Sequence, residues 1–70
     1  LELEMKNVIL KARKGACSRT KNRLREHGNT FVQTRGPQTC LFDNNNRMWI
    51  FVIAPDGWDG WLPVGELDIS

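Results

Sequence analysis

Residues 48–67 read MWIFVIAPDGWDGWLPVGEL, and this stretch decides the fold of the chain. It contains all three tryptophans of the protein. Its first part is rich in β-branched and aromatic residues, which favour a strand, and Pro55-Asp56-Gly57 is a turn sequence. A second strand is predicted at 59–62, and Pro63 is suited to begin a short helical turn. The stretch therefore predicts two strands joined by a sharp turn, as in a small closed β-barrel.

Similar strand-like runs occur upstream, separated by turn signals. Asn44-Asn45-Asn46 is one such turn, because asparagine tolerates a positive φ better than other residues with a side chain. Short strands at this density are typical of a sandwich or barrel. We therefore expect a mainly β fold, a small five-stranded barrel. Its strands are predicted at residues 7–13, 29–35, 38–43, 47–53 and 59–62.

One short helix is predicted at residues 19–27, between the first two strands. Ser18 is the expected N-cap, and Gly28 can supply the left-handed position that ends a helix. Helical spacing brings four residues to one face, which would pack inward. These residues are Cys17, Thr20, Leu24 and His27.

The length of 70 residues predicts one small domain with a narrow margin of stability. Residues 1–4 precede Met5 and are interpreted as a cloning remnant, which leaves residues 5–70 as the domain. The longest apolar run, 49–54, is far shorter than the roughly 20 residues that span a bilayer. We expect no membrane contact, a cytoplasmic location and either a monomer or a homodimer.

The C-terminal pattern resembles the bacterial type of Src-homology-3-like domain over about residues 38–69. The resemblance rests on an aromatic strand, a glycine turn, and then Gly60-Trp61-Leu62-Pro63 followed by a short turn that ends at an apolar residue. It implies a barrel fold. Three features depart from the peptide-binding pattern: the chain has no tyrosine, a basic segment replaces the acidic loop, and Glu66 stands where the family usually has tyrosine. These departures argue against recognition of proline-rich peptides.

Charge is distributed unevenly along the chain. Eight basic and no acidic residues lie between Lys6 and Arg25, whereas residues 48–70 contain four acidic and no basic residues. A basic segment of this kind indicates an anionic partner such as nucleic acid, although a solvated surface without a partner is an equal alternative. The expected nucleic-acid contacts are Lys11, Arg13, Lys14, Arg19, Lys21, Asn22, Arg23 and Arg25.

No aromatic residue precedes Phe31, so stacking platforms for single strands are not evident in the basic segment. The sequence therefore favours duplex or structured RNA contacted through its backbone. The alternative is a protein-protein adaptor or inhibitor surface at the C-terminal turn, formed by Trp58, Trp61, Asp56 and Asp59. Trp58 is expected to be the most exposed tryptophan, although it could instead cover one end of the barrel.

No catalytic or metal-binding pattern is present. A helix would separate Cys17 from His27 by about 15 Å along its axis, too far for a nucleophile–base pair. Cys17, Cys40 and His27 are too few and too irregularly spaced for a zinc site. We interpret the cysteines as buried reduced thiols, with a disulfide as the alternative in an oxidising compartment. The sequence predicts a non-enzymatic binding module without a cofactor.

Overall fold

The computed structural model describes residues 4–35 and 40–70, and within them the protein is mainly β with one helix. A 3₁₀ turn at Val64–Glu66 separates the last two strands. The elements in chain order are β1 (Glu4–Ala12), α1 (Ser18–Glu26), β2 (Thr30–Arg35), β3 (Cys40–Phe42), β4 (Met48–Ile53), β5 (Asp59–Pro63) and β6 (Leu67–Ile69).

All strand pairings are antiparallel, and β4 is the hub of the sheet. One edge of β4, from Trp49 to Ile53, pairs with the whole length of β5. The other edge pairs first with β3 and then with β2, so these two strands lie one after the other along β4. β2 continues the sheet to β1, and β1 pairs with β6.

Among the described residues there are six strands where five were predicted, because Leu67–Ile69, which follows the predicted helical turn, pairs with β1 as a further strand. The sheet is not closed among the described residues, so the predicted five-stranded barrel is not confirmed. The third predicted strand is shorter than expected, and residues 38 and 39 of that prediction lie outside the described residues. The mainly β class with a helix near 19–27 is confirmed.

The core lies between the inner face of the sheet and the helix. In β4, Ile50 and Val52 are buried while Trp49, Phe51 and Ile53 are only partly buried, as the period of two in a strand requires. The helix contributes Thr20 and Leu24 to this core, as predicted from their spacing. The largest fully buried side chains are Phe31, Leu10, Leu24, Leu67 and Val52.

The start of the helix differs from the prediction. Cys17 is the N-cap and Ser18 is the first helical residue. The side chain of Cys17 accepts no hydrogen bond from the backbone N–H groups of the first turn. Glu66 supplies a partner instead, since its Oε1 accepts the backbone N–H of Cys17 at 2.8 Å. A capping-box glutamate makes this contact from within the helix, whereas here it comes from the distant 3₁₀ turn. The helix ends at Glu26, one residue before the predicted His27, and Gly28 adopts the predicted left-handed conformation with φ 65°.

The prediction that both cysteines are buried is wrong. Cys17 lies at the exposed start of α1, and Cys40 lies on β3, where all three residues are exposed. Both thiols are free, so no Cys17–Cys40 disulfide is formed. Among residues 4–35 and 40–70, no helix has the length and apolar character needed to cross a membrane.

Candidate binding groove

A groove of about 330 Å³ lies between the helix and the outer face of β4 and β5. It combines three tryptophans with three arginines and one carboxylate. Its lining residues are Cys17, Arg19, Thr20, Arg23, Arg47, Trp49, Trp58, Trp61, Leu62, Pro63 and Glu66. We call this feature the aromatic groove.

The floor of the aromatic groove follows from the register of β4 and β5. Trp49 pairs with Pro63, and Phe51 pairs with Trp61, so these side chains share the outer face of the sheet. The rings of Phe51 and Trp61 meet edge to face at 5.3 Å. Trp61 is 37% exposed, whereas Trp49 and Trp58 are half-buried. Trp61, not Trp58, is therefore the most exposed tryptophan, and that prediction is corrected.

Trp58 packs against the core at one end of the sheet, as the second interpretation of its role predicted. Its ring stacks on His27 at 5.0 Å and meets Phe31 edge to face at 6.4 Å. Gly60 lies directly against the same ring, since a Cβ at this position would come within 2.6 Å of it. The helix adds a cation–π contact, with Cζ of Arg23 4.8 Å from the ring centroid. These contacts hold Trp58 in one position at the wall of the groove.

His27 connects the end of the helix to the turn between β4 and β5. Its Nδ1 lies 2.7 Å from Oδ2 of Asp56, and its side chain is only 7% exposed. Oδ1 of Asp56 accepts the backbone N–H of Trp58 at 3.1 Å. That backbone hydrogen bond, followed by the contact with His27, lowers the pKa of the Asp56 carboxyl. Asp56 therefore serves the turn and is not a free acidic group.

Asp43 organises the hairpin that carries Trp49. Its Oδ1 accepts the backbone N–H groups of Asn45 and Arg47, both at 2.9 Å, and its Oδ2 accepts the indole N–H of Trp49 at 2.8 Å. The bond from Arg47, followed by that from Trp49, lowers the pKa of the Asp43 carboxyl. Asn46 adopts φ 61°, which confirms the predicted use of asparagine in this turn. The hairpin thus fixes the orientation of the Trp49 ring.

The negative charge of Glu66 is balanced within the groove by an ion pair with Arg47. Its Oε2 lies 2.6 Å from Nη2 of Arg47, and its side chain is 16% exposed. The backbone N–H of Cys17 is the main cause that lowers the pKa of Glu66 to about 2, and Arg47 adds to the effect. With this carboxylate bound internally, Arg19 and Arg23 leave the groove with a positive wall.

The predicted basic residues do not form one site. Arg19 and Arg23 line the aromatic groove, and Arg23 also pairs with Glu26 at 3.2 Å. On another side of the helix, Nη2 of Arg25 donates to Oδ1 of Asn22 at 3.0 Å, beside a separate shallow depression.

The other predicted bases are exposed and lie outside the groove. Lys21 is on the helix, Lys11 is on β1, and Arg13 and Lys14 follow β1. Arg13 pairs with Asp68 at 3.2 Å. The fold therefore brings only two of the eight predicted contact residues to the groove.

The acidic and aromatic alternative is also divided by the fold. Trp61 lines the groove and Trp58 forms its wall, whereas Asp56 is bound to His27 and Asp59 pairs with Ile53 in the sheet. Sequence reasoning missed the roles of Arg47 and Glu66 in the groove. Arg47 stands one turn after Asp43 and next to an aromatic strand, which is a weak local signal. Its partner Glu66 is 19 residues away and has no local signal at all.

Within the described residues, no group of three or more histidine, cysteine, aspartate or glutamate side chains is placed to hold a metal ion. Comparisons with protein-family models, with curated proteins and with solved structures found no match for this chain. The groove itself is therefore the basis for a functional proposal.

Proposed function

We propose that this protein is a non-enzymatic module that binds nucleic acid in the aromatic groove. The observation that carries the proposal is the position of Arg19 and Arg23 beside the tryptophans of the groove. Guanidinium groups pair well with phosphate oxygens, and exposed aromatic rings offer stacking surfaces for bases. The combination suits a ligand with both anionic and planar groups.

Single-stranded nucleic acid fits this groove better than a duplex. Stacking on Trp61 requires a base whose face is not already covered by its neighbours or its partner strand. Duplex backbone was favoured by the sequence because no aromatic residue lies in the basic segment. The fold supplies the aromatic residues from β4 and β5, which removes that objection. Bases on Trp61 and phosphates along Arg19 and Arg23 form the proposed mode of binding, while Arg47 remains paired with Glu66.

The proposed scaffold is a Src-homology-3-like barrel. It is supported by the 3₁₀ turn at Val64–Glu66, which follows Pro63 and ends at the buried Leu67. In this scheme Trp49, Pro63 and Glu66 form a groove in which a carboxylate replaces the usual tyrosine. The arginine wall then replaces the acidic loop of the peptide-binding members, and this exchange changes the preferred ligand from a basic to an anionic one.

A protein partner at the acidic turn has less support. Both oxygens of Asp56 accept contacts from within the protein, and Trp58 is held by His27, Arg23 and Gly60. A partner that used this turn would have to displace those contacts. Only Trp61 of the four residues is exposed and directed into the groove.

The proposal is tested by fluorescence anisotropy with a labelled single strand of about 12 nucleotides, as DNA and as RNA, at about 50 and 200 mM salt. Arg19→Gln is the test variant and Arg25→Gln is the matched control, since both arginines are exposed on the same helix and only Arg19 lines the groove. We expect affinity to fall steeply with salt. Arg19→Gln should reduce the log–log slope by about 0.7, the value for one single-strand phosphate contact, while Arg25→Gln leaves it unchanged.

Absence of binding at 50 mM salt would contradict the proposal. If both variants lost the same amount of affinity, binding would depend on the general charge of the helix and not on the groove. A duplex of the same length should bind more weakly than the single strand, because its bases cannot stack on Trp61.

A further inference from the structure

A second cleft of about 270 Å³ adjoins the aromatic groove and shares two of its tryptophans. Trp49 and Trp61 line both, so the two features adjoin at these two side chains, and Leu41 shares the face of Trp49. The cleft adds two exposed apolar side chains from β3, Leu41 at 46% and Phe42 at 64% exposure. Its remaining lining residue is Asp43.

The polar atoms that line this cleft are already used within the protein. Oδ1 of Asp43 accepts two backbone N–H groups of the hairpin, and its Oδ2 accepts the indole N–H of Trp49. The same bond occupies the indole donor of Trp49. Carbon atoms therefore make up most of the cleft's available surface, and the side-chain polar groups that line it are not free to read the edge of a base.

We propose that this cleft is a base-stacking subsite next to the arginine wall, and that it makes the protein bind single strands with little preference for sequence. The inference rests on the proposed function and extends it by a second subsite. A strand whose phosphates lie on Arg19 and Arg23 can place one base on Trp61 and the next between Trp61 and the β3 side chains. Stacking tolerates all bases, because each of them has a π face.

Charge favours this occupant. The acidic groups near the surface, Asp43 and Glu66, are both bound internally, and Arg19 and Arg23 line the adjoining groove in addition to the Arg47 that pairs with Glu66. An anionic chain that carries planar apolar groups is complementary to both parts at once. Phe42 lines the cleft but not the aromatic groove, and its side chain is 64% exposed.

The test compares Phe42→Ala and Leu41→Ala with Ile9→Ala. Ile9 is an exposed aliphatic residue on β1, 48% exposed against 46% for Leu41, and it lines neither cavity. Binding is measured by anisotropy with strands of about 12 thymidines, with strands of about 12 cytidines, and with an abasic strand of the same length. Thermal unfolding of each variant verifies that it is folded.

We expect Phe42→Ala to weaken thymidine binding about tenfold, in the range of one stacked base, without a change in the salt slope. Leu41→Ala should weaken it less, and Ile9→Ala should have no effect. The abasic strand should bind the wild type and Phe42→Ala equally, because no base is present to stack. Thymidine and cytidine strands should bind with affinities within a few-fold of each other.

Two failures can be distinguished. If the wild type binds the strands but Phe42→Ala and Leu41→Ala bind equally well, the subsite is wrong and the proposed function stands. If the wild type binds no strand, the proposed function itself is wrong. A difference of more than about thirtyfold between thymidine and cytidine strands would overturn the inference that the cleft lacks base specificity, since it implies hydrogen-bonded readout.

Discussion

The basic segment at 6–25 and the aromatic segment at 48–67 differ in every local property, yet the aromatic groove takes its walls from both. Arg19 and Arg23 come from the first segment, and the tryptophans come from the second. In the sequence these segments indicate two separate and competing surfaces. In the fold Arg19 and Arg23 of the helix line the same groove as the tryptophans, so the two signals belong to one surface.

The acidic groups of the C-terminal half also have a different role in the fold from the one that the sequence indicates. They suggested a surface for a basic partner, but three of the four are engaged within the protein: Asp56 with His27, Glu66 with Arg47 and Cys17, and Asp68 with Arg13. Their negative charge is thus balanced locally. The groove remains positive, although the strands that form its floor belong to the acidic half.

The largest expected loss of stability comes from weakening the contact between the helix and the core of the sheet. Leu24 is 1% exposed and joins the helix to the core of the sheet. Leu24→Ala should lower the free energy of unfolding by about 2–5 kcal/mol, because it removes buried methyl groups and leaves a cavity. Urea unfolding followed by tryptophan fluorescence measures this loss, with Lys21→Ala on the exposed side of the helix as the control. A cost below about 1 kcal/mol would show that the helix is not packed as described.

A smaller effect is expected at the wall of the groove. Gly60→Ala places a Cβ 2.6 Å from the ring of Trp58, which His27 and Arg23 hold in place. We expect a loss of about 1–3 kcal/mol from overpacking, together with altered tryptophan fluorescence. Gly65→Ala is the matched control, since nothing lies within 4 Å of its added Cβ. Equal stability of the two variants would contradict the position of Trp58.

The smallest of the three effects concerns the carboxylate that joins the 3₁₀ turn to the helix. Glu66→Gln replaces a charged acceptor and should cost about 1–2 kcal/mol at neutral pH. The folded-state pKa of Glu66 is about 2, below its ordinary value of 4.5, so its contribution is complete above about pH 5 and disappears as the pH falls toward 2. The stability difference between wild type and variant should therefore shrink over that range.

Urea unfolding at several pH values measures this difference. Asp68→Asn is the control, because the Arg13–Asp68 pair is more than half exposed on both sides and such pairs contribute little. A stability difference for Glu66→Gln that stays constant down to pH 2 would contradict the assigned hydrogen bonds.

Local patterns predicted the elements better than the contacts between them. The alternation in β4, the asparagine turn and the left-handed Gly28 after the helix are all found, because each depends on residues within one turn or strand. Ser18 as N-cap is wrong, because the partner of the helix start comes from Glu66, which is 49 residues away from Cys17 in the sequence. The exposure of Cys17, Cys40 and Trp61 was likewise decided by which elements pack against each face.

The sequence by itself determined that the chain is a mainly β domain with one basic helix, since hydrophobic period, turn residues and charge are properties of neighbouring positions. Only the tertiary structure decided which bases meet the tryptophans and which acids are neutralised. Those contacts join residues far apart in the chain, and their geometry depends on strand register and on the packing of α1 against the core. The stretch 48–67 thus specified a scaffold, and the helix residues that line the groove beside it completed the candidate binding site.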